Sequence, residues 1–229
     1  MIGAFINTAA VVIGTGLGVT ARRFLKPRLR ETTMQIIGLM TLMIGVQMSL
    51  SEKNPLLPLA SLLIGAMIGE GLDIEGRLDA LGNSLQRRFS NEGGSTFSQA
   101  FVSTSILFCV GPMTIMGCIQ DGLRGDYSLL LVKSLLDGVS AAFFTAALGW
   151  GVLFSAGTVL VVQGALTLGA GWVGSVLTEP MKNTMFSTGG LMMLELGIRL
   201  LNLRQIPVAN FLPALVVAPL LVWLVSLWR

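Results

Sequence analysis

The stretch Lys133-Ser-Leu-Leu-Asp137-Gly138 decides how this chain is read. It lies inside an apolar run over 128–153 that is long enough to cross a bilayer, which takes about 20 residues. A charged side chain at the bilayer centre costs roughly 2.5–3.5 kcal/mol on insertion scales, so such residues are rare and usually functional. Here two charges of opposite sign stand four residues apart, on one helix face. A helix starting near Tyr127 places Lys133 roughly 9 Å and Asp137 roughly 15 Å along its axis. The second depth is close to the midplane of a hydrocarbon core about 30 Å thick.

The composition agrees with a membrane protein. Of 229 residues, 53% are hydrophobic and 12% charged, and the mean hydropathy is +0.78. A soluble domain carries about 25% charged residues. No long polar segment suggests a separate soluble domain, so 1–229 reads as one transmembrane domain with a loop at 72–99. The net charge of +3 does not mark a nucleic-acid binder. Five basic residues crowd one short segment (Arg22, Arg23, Lys26, Arg28 and Arg30), and topology explains them better. The chain has no histidine, hence no His metal site, general base or proton relay. Cys109 and Cys118 are too far apart on one helix to bridge and lack metal-ligand spacing. No cofactor is expected, and a lone Asp with Lys offers little for acid–base catalysis.

Eight apolar segments read as spans: about 2–20, 33–50, 55–72, 100–120, 128–153, 156–177, 184–202 and 206–227. The alternative is seven spans plus one re-entrant segment. The basic cluster follows the first apolar stretch, the reverse of a signal peptide. With 21–31 cytoplasmic, that side also holds Arg77, Arg87, Arg88, Arg199 and Arg204. The outer side holds Lys53, Arg124, Lys182 and Arg229. Ten against four places both termini outside and the 72–99 loop in the cytoplasm. That loop opens with a polar, helical stretch and continues into a flexible Asn91-Glu-Gly-Gly-Ser95 linker.

A shift of 152 positions lays Gly38-Leu-Met40 on Gly190-Leu-Met192, Leu42 on Leu194, Gly45 on Gly197, Pro55 on Pro207, Leu63 on Leu215 and Ala66 on Ala218. Helices two and three would then repeat as seven and eight. They are five spans apart and so oppositely oriented, which is a recurring plan of secondary transporters. Asn7 and Gln163 also correspond, with a four-residue gap.

Other residues join the candidate pathway. Cys109-Val-Gly111-Pro112 should break a helix, because proline lacks the backbone donor and clashes with the preceding turn. Such a break at mid-membrane either frees carbonyls for a site or is a packing kink. Glu195 and Arg199 form a second pair four apart, readable as part of the site or as a local pair at a helix end. Lys133 and Asp137 likewise read either as an ion site or as a self-satisfied pair. Gln120-Asp121-Gly122-Leu-Arg124-Gly125-Asp126 reads as a compact outer loop with Asp126 capping the next helix. Gly14, Gly16, Gly18, Gly65 and Gly69 read as close-packing positions.

Gly3-Ala-Phe-Ile-Asn7-Thr8, Leu63-Ile-Gly65-Ala-Met-Ile-Gly69-Glu70, Lys133-Ser134-Leu-Leu-Asp137 and Pro207-Val-Ala-Asn210-Phe-Leu-Pro213-Ala214 together resemble one prokaryotic family. It is the inner-membrane family catalogued as domain of unknown function 554, the YqgA/YdfK-like proteins. The resemblance runs from about residue 1 to about residue 225. It implies a multi-pass protein of the prokaryotic plasma membrane and carries no activity with it. Asn7, Lys133, Asp137, Asn210 and Pro213 match the family pattern; Glu195 is less typical at its position.

These readings converge on an all-α polytopic membrane protein with an inverted repeat. They point to a small ion-coupled transporter of a small polar or ionic solute, with Lys133, Asp137, Asn7, Gly111, Pro112, Gln163 and Glu195 along its pathway. The alternatives are a homo-oligomeric ion channel, or a sensor or adaptor without flux that binds a partner through the 72–99 loop.

Overall fold

In the computed structural model, which describes residues 1–24, 26–89 and 96–227, every element among the described residues is helical. The order is α1 (Ile2–Phe24), α2 (Pro27–Ser49), α3 (Leu56–Gly71), α4 (Ile74–Phe89), α5 (Thr96–Cys109), α6 (Pro112–Arg124), α7 (Ser128–Leu148), α8 (Gly151–Leu168), α9 (Ala170–Val176), α10 (Glu179–Leu200), a 3-10 turn (Val208–Phe211) and α11 (Ala214–Leu227).

Among the described residues, five helical stretches are long and apolar enough to cross a membrane: Ile2–Phe24, Arg28–Ser49, Ser128–Leu148, Gly151–Leu168 and Val208–Leu227. Two bent pairs, Leu56–Gly71 with Ile74–Leu81 and Phe97–Cys109 with Met113–Arg124, raise the number to seven if each is one span. The 128–153 segment is cut at Gly149, where φ is +97°, and α8 starts at Gly151. The 156–177 segment is therefore the body of α8 followed by α9. The 184–202 segment falls in α10, which has the length of a span but carries Glu179, Lys182, Glu195 and Arg199 among Ser, Thr and Gly. The polar stretch after residue 73 is α4, as read; Asn91–Ser95 lies outside the described residues.

The chain divides into two compact units, Met1–Met34 with Asp79–Val176, and Gln35–Leu78 with Leu177–Arg229. In the first, α1 and α7 run parallel. Gly3 faces Leu130, Gly14 faces the Gly138 backbone and Gly18 faces the Ala142 backbone. A Cβ at Gly14 or Gly18 would overlap a backbone carbonyl, so glycine sets this close approach. Gly16 faces open space. Apolar surface gives helices no reason to associate in lipid, so close packing through small residues does that work.

The N-terminal end of α1 meets the end of α6. Asp121 Oδ2 accepts the Gly3 backbone N–H at 3.0 Å and pairs with the N-terminal ammonium at 3.0 Å. The expected outer loop at 120–126 is thus helical through Arg124, and Asp121 is buried at the positive end of a helix dipole. Asp126 stands one residue before Tyr127, the N-cap of α7, and its Oδ1 accepts the Ser128 backbone N–H at 3.0 Å and the Ser128 hydroxyl at 2.6 Å.

In the second unit, α2 and α10 cross antiparallel through glycines. Gly38 faces Leu201, and Gly190 faces Ser49. Gly45 faces Gly190 and Leu194, while Gly197 faces Gly38 and Leu42. On α3, Gly65 faces Ala214 and Gly69 faces the Asn210 backbone. The end of this unit is closed by polar contacts. Glu75 pairs with Arg199, and its Oε2 accepts the Ala209 N–H at 2.8 Å. Arg199 also donates to the Ile206 carbonyl at 3.2 Å. Asn210 Oδ1 accepts the Glu75 N–H at 2.8 Å, satisfying an end donor of α4.

A candidate ion site in the first unit

On α7 the buried face carries Leu130, Lys133, Ser134, Asp137, Ala141, Phe144, Thr145 and Leu148. The steps of three and four keep these residues on one stripe. Ser134 is satisfied locally, its hydroxyl donating to the Leu130 carbonyl at 2.6 Å. Lys133 and Asp137, each 6% exposed, satisfy each other: Lys133 Nζ lies 2.6 Å from Asp137 Oδ2. A third group arrives from α1. Asn7, fully buried, donates from Nδ2 to the same Asp137 oxygen at 2.9 Å. Its own Oδ1 is buried with no hydrogen-bond partner among the described residues.

One carboxylate oxygen therefore takes two donors, one charged and one neutral. Charge-assisted contacts of this length are the stronger hydrogen bonds, and low dielectric strengthens them further. Ionised and paired, the cluster is net neutral. Breaking the pair would leave a buried charge that must find another partner, such as a proton, an ion or a charged solute.

The other sequence-derived candidates divide between the units. The Gly111-Pro112 break is real: α5 and α6 bend by 58° there. Cys109 ends α5, and both α5 and α6 pack against α7, the helix that carries the pair. Gln163, on α8, is fully buried in the same unit, and both its amide atoms lack a partner among the described residues. Glu195 belongs to the other unit and is not paired as expected. Arg199 turns to Glu75 instead, and Glu195 Oε2 has no hydrogen-bond partner among the described residues. Among the described residues no group of three or more His, Cys, Asp or Glu could hold a metal ion.

Two roles were not read from sequence. Glu75 lies in the polar, helical stretch that opens the 72–99 loop, and only its place at the start of that helix hints at an end contact. Asp121 lies in what reads as a compact outer loop, although the helical spacing from Met113 onward is a signal for a helix.

Among the described residues the chain is all-helical, with five to seven candidate membrane spans and a buried Lys133–Asp137 pair. The chain belongs to the family described as "Protein of unknown function (DUF554)", whose model matches residues 2–223. It is 34% identical over 223 residues to the Uncharacterized protein YqgA of Escherichia coli (strain K12), covering 95% of this chain and 94% of that protein. It is 27% identical over 229 residues to the Uncharacterized membrane protein YdfK of Bacillus subtilis (strain 168), covering 98% and 97%. No solved structure matches.

Proposed function

We propose that this protein is a small ion-coupled transporter of a small polar or ionic solute in the prokaryotic inner membrane, with both termini outside. The observation that carries this reading is the buried Lys133–Asp137–Asn7 cluster on two parallel helices. A permanent scaffold gains little from an ion pair in an apolar interior, since well-packed apolar residues do as well or better. An exchangeable pair gives a transporter a charge that can change partners. In this mechanism Asp137 takes the coupling ion, and Lys133 either balances it or holds an anionic group of the solute.

The 152-residue correspondence supports a transporter with inverted repeats. Under that shift the Gly38–Leu201 contact becomes Gly190–Ser49, and the Gly45–Gly190 contact becomes Gly197–Gly38. The crossing of α2 and α10 is thus reciprocal in its contacts, as a pseudo-two-fold axis across two antiparallel helices requires. Rocking one repeat against the other is the usual way such a plan exposes a midplane site alternately.

The test is thermal stability of the purified protein against a panel of ions, organic acids, amino acids and amines. A ligand of the native state raises the melting temperature by mass action. A shift present in wild type and lost in Asp137→Asn is expected. No shift from any solute, with a variant that simply unfolds, assigns the pair to structure and removes the transporter.

A further inference from the structure

Several buried polar side-chain atoms of the first unit have no hydrogen-bond partner among the described residues; Thr167 Oγ1 and Arg30 Nε lie toward helix ends, and the others lie within the helices. Asn7 Oδ1, Thr15 Oγ1, Ser103 Oγ, Thr145 Oγ1 and both amide atoms of Gln163 are buried without a hydrogen-bond partner among the described residues. Each of the five side chains is at most 1% exposed. Threonine and serine inside helices normally donate back to the preceding turn, as Thr104 does to the Ala100 carbonyl at 2.7 Å. Thr15, Ser103 and Thr145 do not.

Their heights form a series. The ends of α1, α6, α7 and α8 are tied together where Asp121 meets the N-terminus, Gly3 and Gly117 meet Leu130, and Gly122 meets Thr167. At 1.5 Å per residue from that end, Asn7 and Gln163 stand about 8 Å in, Asp137 about 14 Å, Thr15 about 20 Å and Thr145 about 26 Å. On each helix the polar positions share a buried stripe. Thr15 is two four-residue steps from Asn7 through Val11, and Thr145 is two from Asp137 through Ala141. Ser103 adds a hydroxyl from α5, which packs on α8.

In hydrocarbon such groups cannot be left unsatisfied, and buried polar sites with room are filled by water. From this arrangement, and resting on the transporter reading, we infer that water enters the first unit from both ends along these side chains and carries protons to Asp137, making the proton the coupling ion. The spacing favours a proton over an alkali cation. The acceptors are strung over most of the helix length and not gathered around one point, and a metal ion needs several oxygens at once. Hydroxyls and amides both donate and accept, as proton hopping requires. In the step itself a hydronium in the file gives its proton to the Asp137 carboxylate. The carboxyl becomes neutral, its bond to Lys133 Nζ weakens, and release to water on the other side restores the pair. The charged or titratable groups on the elements packed around Asp137 are Lys133 on its own helix, Arg22 and Arg23 on α1 with the N-terminal ammonium ahead of it, Cys109 on α5, and Cys118, Asp121 and Arg124 on α6; α8 contributes none.

Two measurements test this without any solute. In a Cys109→Ala/Cys118→Ala background, single cysteines at Thr15, Thr145 and Gln163 are treated with 2-aminoethyl methanethiosulfonate, a small charged reagent that travels in water. Labelling at least ten times faster than at Val159→Cys, fully buried but apolar, is expected; equal rates overturn the path. If a cysteine variant does not fold, brief radiolysis of the wild-type protein in oxygen-18 water replaces it. Oxygen incorporated along the buried stripes of α1, α7 and α8 supports the path, and incorporation only at helix ends and loops overturns it. Infrared titration then identifies the ion. A protonated carboxyl band should appear reversibly with acid, be absent in Asp137→Asn, and keep its midpoint when choline is exchanged for sodium. A midpoint displaced by sodium makes sodium the ion. A labelled path in a protein that no solute stabilises keeps the path and removes the transporter.

Discussion

Asn7 and Asp137 are 130 residues apart in sequence and meet at 2.9 Å inside the first unit, on the same oxygen that takes Lys133. Removing one charge of this pair should be far worse than removing both. Lys133→Met or Asp137→Asn alone leaves a buried charged or polar group without its counterpart, at a cost of roughly 3–5 kcal/mol. The double variant should recover most of that stability. A double-mutant cycle on melting temperature reads the difference. Additive losses would mean that the two side chains are not coupled.

Asn7→Leu tests the neutral arm of the same contact. It removes one donor from Asp137 Oδ2 and leaves Lys133 in place, so the loss should be about 1–3 kcal/mol, the cost of an unmet buried hydrogen bond. Asn7→Asp should be worse than Asn7→Leu, because a second carboxylate would face the first. Thermal unfolding in detergent, with the two variants side by side, gives the order. Equal stabilities would show that Asn7 does not address Asp137.

How legible was this in the sequence? The pair was visible because two opposite charges four apart in an apolar run leave few readings, and helix spacing puts them on one face whatever the tertiary fold. Asn7 was visible only as a buried amide; its target lies on a helix 130 residues away. The break at Gly111-Pro112 was legible from covalent chemistry alone. The pairing of Arg199 was not. Helix spacing offered Glu195, and the tertiary fold offered Glu75 at the start of α4, which also takes the Ala209 N–H. The proposed repeat is weak in sequence because Leu, Gly and Ala recur by chance. Gly38, Gly45, Gly190 and Gly197 line the α2–α10 crossing.

The choice between Glu75 and Glu195 can be read from stability. Glu75 and Arg199 are mostly buried, and Glu75 also holds a backbone donor. Glu75→Gln should therefore lower the melting temperature strongly, by the equivalent of about 3 kcal/mol. Glu195→Gln should be neutral or mildly stabilising, since it removes a carboxylate with an unmet buried oxygen. Melting curves of the two single variants decide it, and a reversed order would return Arg199 to Glu195.

The α1–α7 contact predicts a sharp dependence on which glycine is changed. A Cβ at Gly14 meets the Gly138 carbonyl and one at Gly18 meets the Ala142 carbonyl, both backbone atoms that cannot turn aside. Gly14→Ala and Gly18→Ala should each cost roughly 1–3 kcal/mol by overpacking and, by parting the helices, weaken the Asn7–Asp137 contact. Gly16→Ala meets nothing within 4 Å and should be neutral or slightly stabilising, since alanine is the better helix former. In the second unit the same argument ranks Gly190→Ala, which meets backbone, above Gly38→Ala, which meets the movable Leu201 side chain. Melting temperatures of the five variants, with the infrared signature of Asp137 for the first two, separate a packing effect from a site effect. A stable Gly14→Ala protein with an unchanged Asp137 would mean that glycine does not set the α1–α7 distance.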